Sequence, residues 1–346
     1  RMGRAEGASP VNMDMIILNH RDVDRLLPMG ECIDVMERVL GDLSRGACVL
    51  PLRNIMWLAD KTAALGMMPA FWRTAGVIGL KAVTYFPGNE GTDLDSHQGA
   101  VLLYDAKCGP LIAVVDGTSI TSIRTAAVSG VATRRLARED ATTLAIIGAG
   151  VQARRHLAAM LAVRPIRRVR VASLSVDHAR AFATEQRERH SIDIEATPTV
   201  QAAIEGADII CTTTSSSEPV LQGEWLTPGV HVNAVGSSVR FARELDAAAV
   251  KRARLYVDRR ESALNEAGDF VLAKQEGVVS DDHIVAEIGE VLVGDAPGRG
   301  SPEEITLFKS VGLAVEDLAA AYHVYEKARV SGEGTRVELG GRREGR

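Results

Sequence analysis

Residues 144–153, with the sequence LAIIGAGVQA, join an apolar run to a glycine-rich turn and the start of a helical pattern. Gly148 permits a tight turn, and Gly150 lets a bound group approach the backbone because it has no side chain. Ala153 stands where a third glycine often allows a helix to pack close to a strand. A helix that follows such a turn presents free N–H groups to phosphates. The segment therefore predicts a dinucleotide-binding turn, with an ordinary strand, turn and helix as the alternative.

The turn lies near the middle of the chain, and this position divides the sequence. With 346 residues, of which 46% are hydrophobic, the chain is long enough for two domains. We predict an α/β protein in which a Rossmann-type, doubly wound parallel sheet at 128–309 is combined with an α+β domain formed by 13–127 and 310–329. Residues 1–12 and 330–346 are predicted to be disordered tails.

Hydrophobic periodicity predicts the elements of both domains. The first domain is expected to contain a helix near 31–43, strands at 63–69 and 77–86, and a hairpin of strands at 100–105 and 111–116 in a mainly antiparallel sheet. A connecting helix is expected at 121–136. The second domain alternates between strands and helices, with strands at 142–147, 168–173, 192–196, 208–213, 230–235 and 254–257. A final helical stretch at 306–327 is expected to return to the first domain.

Composition and charge favour some classes of protein over others. The net charge of −5 argues against a nucleic-acid partner. No apolar run approaches the roughly 18 residues that span a bilayer, and residues 1–4 do not begin an apolar signal segment, so we expect no membrane partner and a cytoplasmic location. The four cysteines are far apart and lack metal-ligand spacing, so no metal site is predicted.

Three cations of the predicted first domain lie in apolar or small-residue surroundings. Lys81 stands inside the nearly uncharged strand predicted at 77–86. Arg124 opens a helix of small residues, and Arg53 lies in a strand-like segment. The sequence nearby holds no matching acids, and an isolated buried charge is costly. Because an Arg fork and a Lys ammonium both suit a carboxylate, we predict an anion site, with internal salt bridges as the alternative.

Two polar loops follow predicted strands of the second domain. One is the run TTTSSS at 212–217, and the other is the stretch NAVGSS at 233–238. Since ligands bind at the carboxyl ends of parallel strands, both loops are expected to face one crevice. The end of the second strand, at 171–175, carries neither an acid for the ribose nor an Arg for a 2′-phosphate. The choice between NAD and NADP therefore stays open.

Short motifs are spread along the chain from about residue 15 to residue 327. They include Met67-Met-Pro69, Gly79-Leu-Lys81, Phe86-Pro-Gly-Asn89, Ser96-His-Gln-Gly99, Ile120-Thr-Ser-Ile-Arg124, Gly223-Glu-Trp225, Asn233-Ala-Val-Gly236 and Phe308-Lys-Ser310. Together with the glycine turn they resemble the ornithine cyclodeaminase/mu-crystallin family. The resemblance implies a homodimer whose first domain supplies the subunit contact and the substrate pocket, while the second domain holds NAD or NADP.

The resemblance also implies roles for individual residues. Arg53, Lys81 and Arg124 would grip the substrate carboxylate, with Lys81 and Arg124 closest to the reaction. His97 is a candidate to face the nicotinamide ring, with an ordinary turn residue as the alternative. The predicted cofactor contacts are His97, Arg124, Gly148, Gly150, Val151, Gln152, Ser173, Thr214, Ser215, Val235 and Lys309.

One position separates the activities within the family. Ornithine cyclodeaminases resemble one another in having an Asp two residues after the glycine of the Asn-Ala-Val-Gly stretch, where this chain has Ser238. A Ser cannot act as a carboxylate base or pair with a second ammonium, so the chain is more similar to the ketimine reductases. Arg240 is a candidate to hold a second substrate carboxylate, such as that of iminosuccinate, with a solvated loop residue as the alternative.

The predicted function is therefore reduction of a small α-imino acid, either a cyclic ketimine or an iminosuccinate-like compound. Hydride from NAD(P)H would add to the C=N bond and give the amino acid. Three alternatives stay open: an ornithine cyclodeaminase, an enzyme like alanine dehydrogenase, and a non-catalytic crystallin or ligand-binding protein.

Overall fold

Two eight-stranded sheets organise the residues that the computed structural model describes, which are 14–89 and 91–340. The strands are β1 (Asp14–Leu18), β2 (Cys48–Val49), β3 (Asn54–Trp57), β4 (Ala64–Trp72), β5 (Val77–Tyr85), β6 (His97–Asp105), β7 (Leu111–Asp116), β8 (Thr143–Ile147), β9 (Arg168–Ala172), β10 (Asp193–Ala196), β11 (Ile209–Thr212), β12 (His231–Ala234), β13 (Arg254–Val257), β14 (Ile284–Glu287), β15 (Thr306–Lys309) and β16 (Thr335–Glu338). The helices are α1 (His20–Leu26), α2 (Met29–Ser44), α3 (Gly117–Leu136), α4 (Val151–Val163), α5 (Val176–Arg189), α6 (Val200–Ile204), α7 (Ala247–Arg252), α8 (Arg260–Glu266), α9 (Gly268–Gln275), α10 (Ile288–Val293) and α11 (Ala314–Ser331).

The first sheet is mainly antiparallel, as predicted. Its strand order is β16-β1-β7-β6-β5-β4-β2, with β3 paired to β4. The pairing of β1 with β7 is parallel, and the other pairings are antiparallel. The predicted hairpin of β6 and β7 is confirmed. Its turn is closed by Asp105, whose side chain accepts hydrogen bonds from the backbone N–H groups of Lys107 and Cys108.

The second sheet is parallel throughout, with the order β10-β9-β8-β11-β12-β15-β13-β14. This confirms the predicted doubly wound arrangement, in which β8 lies inside the sheet and runs into the glycine turn. Strands β11, β12 and β15 are buried at every position. Their sequences, IICT, HVNA and TLFK, therefore lack the alternating pattern of a strand with one exposed face.

The long helix α3 joins the two sheets and carries Arg124. It is buried along almost its whole length, which its many small residues permit. A Cβ atom added at Gly130 would lie 2.9 Å from the Ile33 side chain, so α3 packs closely against α2. On the first sheet, a Cβ at Gly79 would lie 2.6 Å from Leu318 of α11. These close approaches bring α3 and α11 to the middle of the molecule.

Two predictions near the end of the chain were wrong. The helix predicted at 306–327 begins instead with β15, because this segment is buried between β12 and β13 and shows no helical period. The tail predicted from residue 330 contains the end of α11 and then β16, which pairs with β1. The predicted tail at 1–12 and residues 341–346 lie outside the described residues. None of the helices in the described ranges is both long and apolar enough to cross a membrane.

Candidate active site

The three predicted cations lie together where α3, β5 and the start of α11 meet. Lys81 Nζ lies 3.1 Å from Asp317 Oδ1, and Arg124 Nε donates a hydrogen bond of 2.8 Å to the same oxygen. Arg53 Nη2 donates to the carbonyl oxygens of Val311 and Gly312, at 2.7 and 2.9 Å. Both arginines therefore border the turn that precedes α11. The sequence prediction of a cation cluster is consistent with this geometry.

The prediction that these cations lack matching acids was wrong. Asp317 pairs with Lys81 and Arg124, and Glu316 Oε2 lies 2.8 Å from Arg124 Nη1. Arg53 Nε lies 2.9 Å from Glu266 Oε2. The acids are far along the chain from the cations, so a search of the local sequence could not find them. The internal salt bridges that we considered as an alternative are present.

Burial sets the protonation states in this cluster. It lowers the pKa of Lys81 to about 8, against the attraction of Asp317. It also raises the pKa of Glu316 to about 8, although Arg124 opposes the shift. Burial also tends to raise the pKa of Asp317, but the charges of Arg124 and Lys81 outweigh this effect and hold the pKa below its ordinary value. Burial therefore favours the neutral form of Glu316, and in that form Lys81 and Arg124 face the single charge of Asp317, which suits an anion.

A narrow groove at Arg53, with a volume of about 10 Å³, is lined by residues from both parts of the chain. Its lining includes Arg53, Met68, Gly312, Arg259, Ser262 and Glu266. The contact between Arg53 and Glu266 crosses the groove. Burial raises the pKa of Glu266, and Arg53 opposes that shift. A ligand carboxylate that bound Arg53 would compete with Glu266 for the same guanidinium.

The glycine turn has the geometry that the sequence predicted. Gly148 has a φ of 111°, and a Cβ atom there would lie 2.8 Å from the carbonyl oxygen of Thr213. Gly150 has no heavy atom within 4 Å of the corresponding position. It precedes α4, whose first residue, Val151, is exposed, and no side chain caps the N–H groups of the helix. The turn therefore fits the pyrophosphate of a dinucleotide, which would be held by the backbone at Gly150 and Val151.

The two polar loops meet at a buried acid that the sequence analysis missed. Glu244 accepts hydrogen bonds from the backbone N–H and hydroxyl of Thr214, from the hydroxyl of Thr212 and from the N–H of Gly236. The loop after β11 and the loop after β12 are therefore joined at one edge of the parallel sheet, and a crevice for the cofactor between them stays a prediction. Nothing in the local sequence marks Glu244, because it lies in an irregular segment that belongs to neither loop.

The remaining predicted cofactor residues lie around this crevice in different environments. Ser215 is exposed, Val235 is buried and Ser173 is partly buried. The side-chain oxygen of Gln152 is buried and has no hydrogen-bond partner among the described residues. Lys309 is fully buried, with its Nζ 2.8 Å from Asp269 Oδ2, so its ammonium is committed to that acid.

Three further predicted site residues, His97, Ser238 and Arg240, are not part of the lining of the groove at Arg53. His97 packs against Tyr85 with ring centroids 4.8 Å apart, and desolvation followed by the charge of Lys81 lowers the pKa of His97. Ser238 is partly buried, whereas Arg240 is exposed and forms no ion pair with any residue of the described ranges. Among residues 14–89 and 91–340, no group of three or more His, Cys, Asp or Glu side chains is placed to hold a metal ion.

A family profile matches residues 13–332 and is described as the ornithine cyclodeaminase/mu-crystallin family. The chain belongs to this family. It is 40% identical over 306 residues to ketimine reductase mu-crystallin from Mus musculus, which covers 88% of this chain and 94% of that protein. It is 38% identical over 326 residues to Δ1-pyrroline-2-carboxylate reductase from Bacillus cereus, which covers 94% of this chain and 100% of that protein.

Solved structures of the same family superpose over most of the chain. Δ1-Pyrroline-2-carboxylate reductase from Thermococcus litoralis, in complex with NADH and L-proline, has a TM-score of 0.91 and 40% identity and covers 93% of this chain and 100% of its own. An archaeal alanine dehydrogenase dimer with bound NAD has a TM-score of 0.89 and 33% identity, with coverages of 94% and 99%. The iminosuccinate reductase of Paracoccus denitrificans with NAD⁺ has a TM-score of 0.86 and 30% identity, with coverages of 94% and 100%.

Proposed function

We propose that the chain is an NAD(P)-dependent reductase of a small cyclic α-imino acid, such as Δ1-pyrroline-2-carboxylate, which it converts to the amino acid. The observation that carries the proposal is the buried cluster of Lys81, Arg124 and Asp317, in which two cations share one carboxylate oxygen. A reductase of this class needs a site for one carboxylate beside a dinucleotide. The named activities of the mouse, Bacillus and Thermococcus relatives support the same chemistry.

The residues of the chain supply orientation and charge. Arg124 and Lys81 bind the substrate carboxylate, Arg53 binds it from the other side of the turn at Gly312, and the planar imine is thereby held in one orientation. The bound NAD(P)H supplies the hydride, which adds to the imine carbon. The C=N π electrons become the nitrogen lone pair, so a protonated imine becomes a neutral amine without a further proton. An unprotonated imine would take its proton from Lys81, whose pKa of about 8 suits that transfer at neutral pH.

We assign a separate role to each of the two sheets and the helices that pack against it. We assign substrate binding and the subunit contact to residues 13–127 with 310–329, and cofactor binding to 128–309. NAD and NADP both stay candidates, because Ser173 and the fully exposed Leu174 carry no charge at the end of the second strand. NAD or NADH is the cofactor named for the solved relatives.

We also propose that the chain forms a homodimer through the first sheet. All four residues of β3 are exposed, and three of them belong to the exposed apolar side chains of this part of the chain, which are Leu52, Ile55, Met56, Trp57, Leu58, Ile78 and Phe86. A group of this size is costly to leave in water and is typical of a protein contact. The alanine dehydrogenase relative is described as a dimer.

Ornithine cyclisation is disfavoured as an alternative because Ser238 cannot pair with the second ammonium of ornithine. A dicarboxylic imino acid is a second candidate substrate, since the unpaired Arg240 is available for another carboxylate. In the Arg240→Ala variant, kcat/KM would then fall for iminosuccinate and stay unchanged for the cyclic imine. Equal losses on both substrates would remove this role from Arg240.

A substrate panel tests the proposed function. Oxidation of NADH and NADPH is followed with Δ1-pyrroline-2-carboxylate, Δ1-piperideine-2-carboxylate, iminosuccinate, and pyruvate with ammonia, and ammonia release is measured from ornithine. The proposal expects the highest kcat/KM for a preformed imine. Faster turnover of pyruvate with ammonia, or ammonia release from ornithine alone, would contradict it. Cofactor binding without turnover of any compound would favour a non-catalytic role.

A further inference from the structure

Glu244 joins two segments that are far apart in the sequence. Its Oε1 accepts hydrogen bonds from the Thr214 N–H at 2.6 Å and the Thr214 hydroxyl at 2.8 Å. Its Oε2 accepts from the Thr212 hydroxyl and from the Gly236 N–H, both at 2.7 Å. The residue is fully buried. Four donors therefore converge on one carboxylate, which is as many as its two oxygens accept.

The backbone around Glu244 is held in place by a second buried acid. Asp269, near the start of α9, accepts hydrogen bonds from the backbone N–H groups of Glu244 and Leu245, at 2.7 and 2.9 Å. Asp269 is in turn paired with Lys309 at the end of β15. The pair of Asp269 and Lys309 thus holds the backbone of Glu244, while the carboxylate oxygens of Glu244 bind the two loops. A contact made through water or through a mobile side chain would not fix the positions of both loops.

A carboxylate is required here because all four partners donate. Two of them are backbone N–H groups, which cannot reverse their role, and they belong to opposite oxygens of Glu244. An amide in place of the carboxylate would direct its own NH₂ group at one of these N–H groups. In either orientation of the amide, one of the two loops would then lose its backbone hydrogen bond to residue 244.

We propose that Glu244 is a positioning residue for the dinucleotide, because it ties the loop after β11 to the loop after β12 at the carboxyl edge of the parallel sheet. The inference rests on the proposed function, since it assumes that these loops contact NAD(P). Glu244 itself does not contact the cofactor. It fixes Thr214 and the backbone of Gly236, and so the positions of the adjoining Ser215 and Val235, which contact the cofactor.

The test is direct binding of NADH and NADPH to the purified full-length chain, measured by fluorescence titration, together with thermal denaturation. Glu244→Gln raises the Kd of the preferred cofactor by about tenfold or more, because an unpaired buried N–H displaces one loop. The KM for that cofactor rises in parallel, while the KM for Δ1-pyrroline-2-carboxylate stays within about twofold. Thr212→Val, which removes one of the four donors and keeps the carboxylate, raises the Kd by a smaller factor.

Asp208→Asn is the matched control. Asp208 Oδ2 accepts hydrogen bonds from the N–H groups of Thr142 and Thr143, at 2.9 and 3.0 Å, and its Oδ1 accepts one from Arg138, so an amide must turn its NH₂ group toward one of these donors. Asp208 lies just before β11 and contacts the start of β8, at the opposite ends of these strands from the loops. This variant loses thermal stability and keeps the Kd of the wild type. Glu244→Gln with a wild-type Kd would overturn the inference. If Glu244→Gln does not fold, an unchanged Kd in Thr212→Val overturns it instead. Failure of the wild type to bind either cofactor would refute the proposed function itself.

Discussion

Replacing Lys81 with Met tests the role of the cation cluster. The Lys81 side chain is 4% exposed, and its ammonium lies 3.1 Å from Asp317. A Met side chain has a similar length and fills the same space without the charge. Asp317 keeps its hydrogen bond from Arg124, so the substitution does not leave a buried carboxylate without a partner. The main change is the loss of the surplus positive charge.

The size of the effect follows from the burial of the cluster. With Lys81 removed, the charges of Arg124 and Asp317 balance, and the substrate carboxylate loses one charge-assisted hydrogen bond. Such a bond contributes about 1.5–3 kcal/mol. This corresponds to a loss of roughly 10-fold to 150-fold in kcat/KM for Δ1-pyrroline-2-carboxylate. We expect the upper part of that range, because the site is desolvated and Arg53 is shared with Glu266.

The pH dependence gives a second readout. The wild-type Lys81 ammonium loses its proton as the pH rises through about 8, so kcat/KM for the imino acid falls on the alkaline side. Lys81→Met has a low kcat/KM at every pH, and its alkaline decline is weaker than that of the wild type, because only Glu316 and the imine still titrate there. The assay is NADH oxidation at several pH values, with NADH binding measured separately by fluorescence.

Lys107→Met is the control, since Lys107 lies exposed in the β6–β7 turn of the same sheet. It should retain the kinetic constants and the pH profile of the wild type. The Kd for NADH should be close to the wild-type value in both variants. Wild-type kcat/KM in Lys81→Met, or an alkaline decline as steep as that of the wild type, would refute the assigned role of Lys81.

Three further predictions address the cofactor turn, the subunit contact and the buried acids. Gly150→Val should keep near wild-type stability, because a Cβ atom at this position has no heavy atom within 4 Å, and its side chain should block the pyrophosphate and abolish dinucleotide binding. Gly148→Ala should instead lower the melting temperature through its left-handed φ and the contact with Thr213. Trp57→Glu should shift the chain to a monomer in size-exclusion chromatography, with the exposed Val330→Glu as a control that does not. For Glu316, a pKa raised from 4.5 to about 8 means that the folded state holds a proton that the unfolded state releases. Stability from this group is therefore present below pH 4.5 and lost as the pH rises toward 8, and thermal denaturation of Glu316→Gln should show a weaker decline over that window.

Features encoded by neighbouring residues could be predicted from the sequence. The turn at Gly148 depends on a few consecutive residues, and the β6–β7 hairpin depends on two strands joined by a short turn. The parallel sheet was also predictable, because apolar strand-like segments alternate with helical segments along the sequence. Segment β15 was not, since its four buried residues have no period and continue into the apolar start of α11.

Features that depend on contacts between distant residues could not be predicted in the same way. Glu244 stands eight residues after Gly236 and thirty after Thr214, in a segment without regular structure. No local pattern distinguishes it from the exposed glutamates of the chain. The sequence predicted that the two loops face one crevice, but the residue that holds them there is visible only once β11 and β12 are paired.

The cation cluster shows how a correct prediction can rest on an incomplete reason. We predicted an anion site because Arg53, Lys81 and Arg124 lacked acids nearby, yet three acids meet these three cations in the fold. Counted by formal charge, the cluster would be neutral and would have no preference for a carboxylate. Burial changes this balance, since it raises the pKa of Glu316 to about 8 while Asp317, the next residue, stays ionised between Arg124 and Lys81. Anion binding therefore depends on the desolvation of one carboxyl group, so a substitution that admitted water to Glu316 should weaken substrate binding even with all three cations in place.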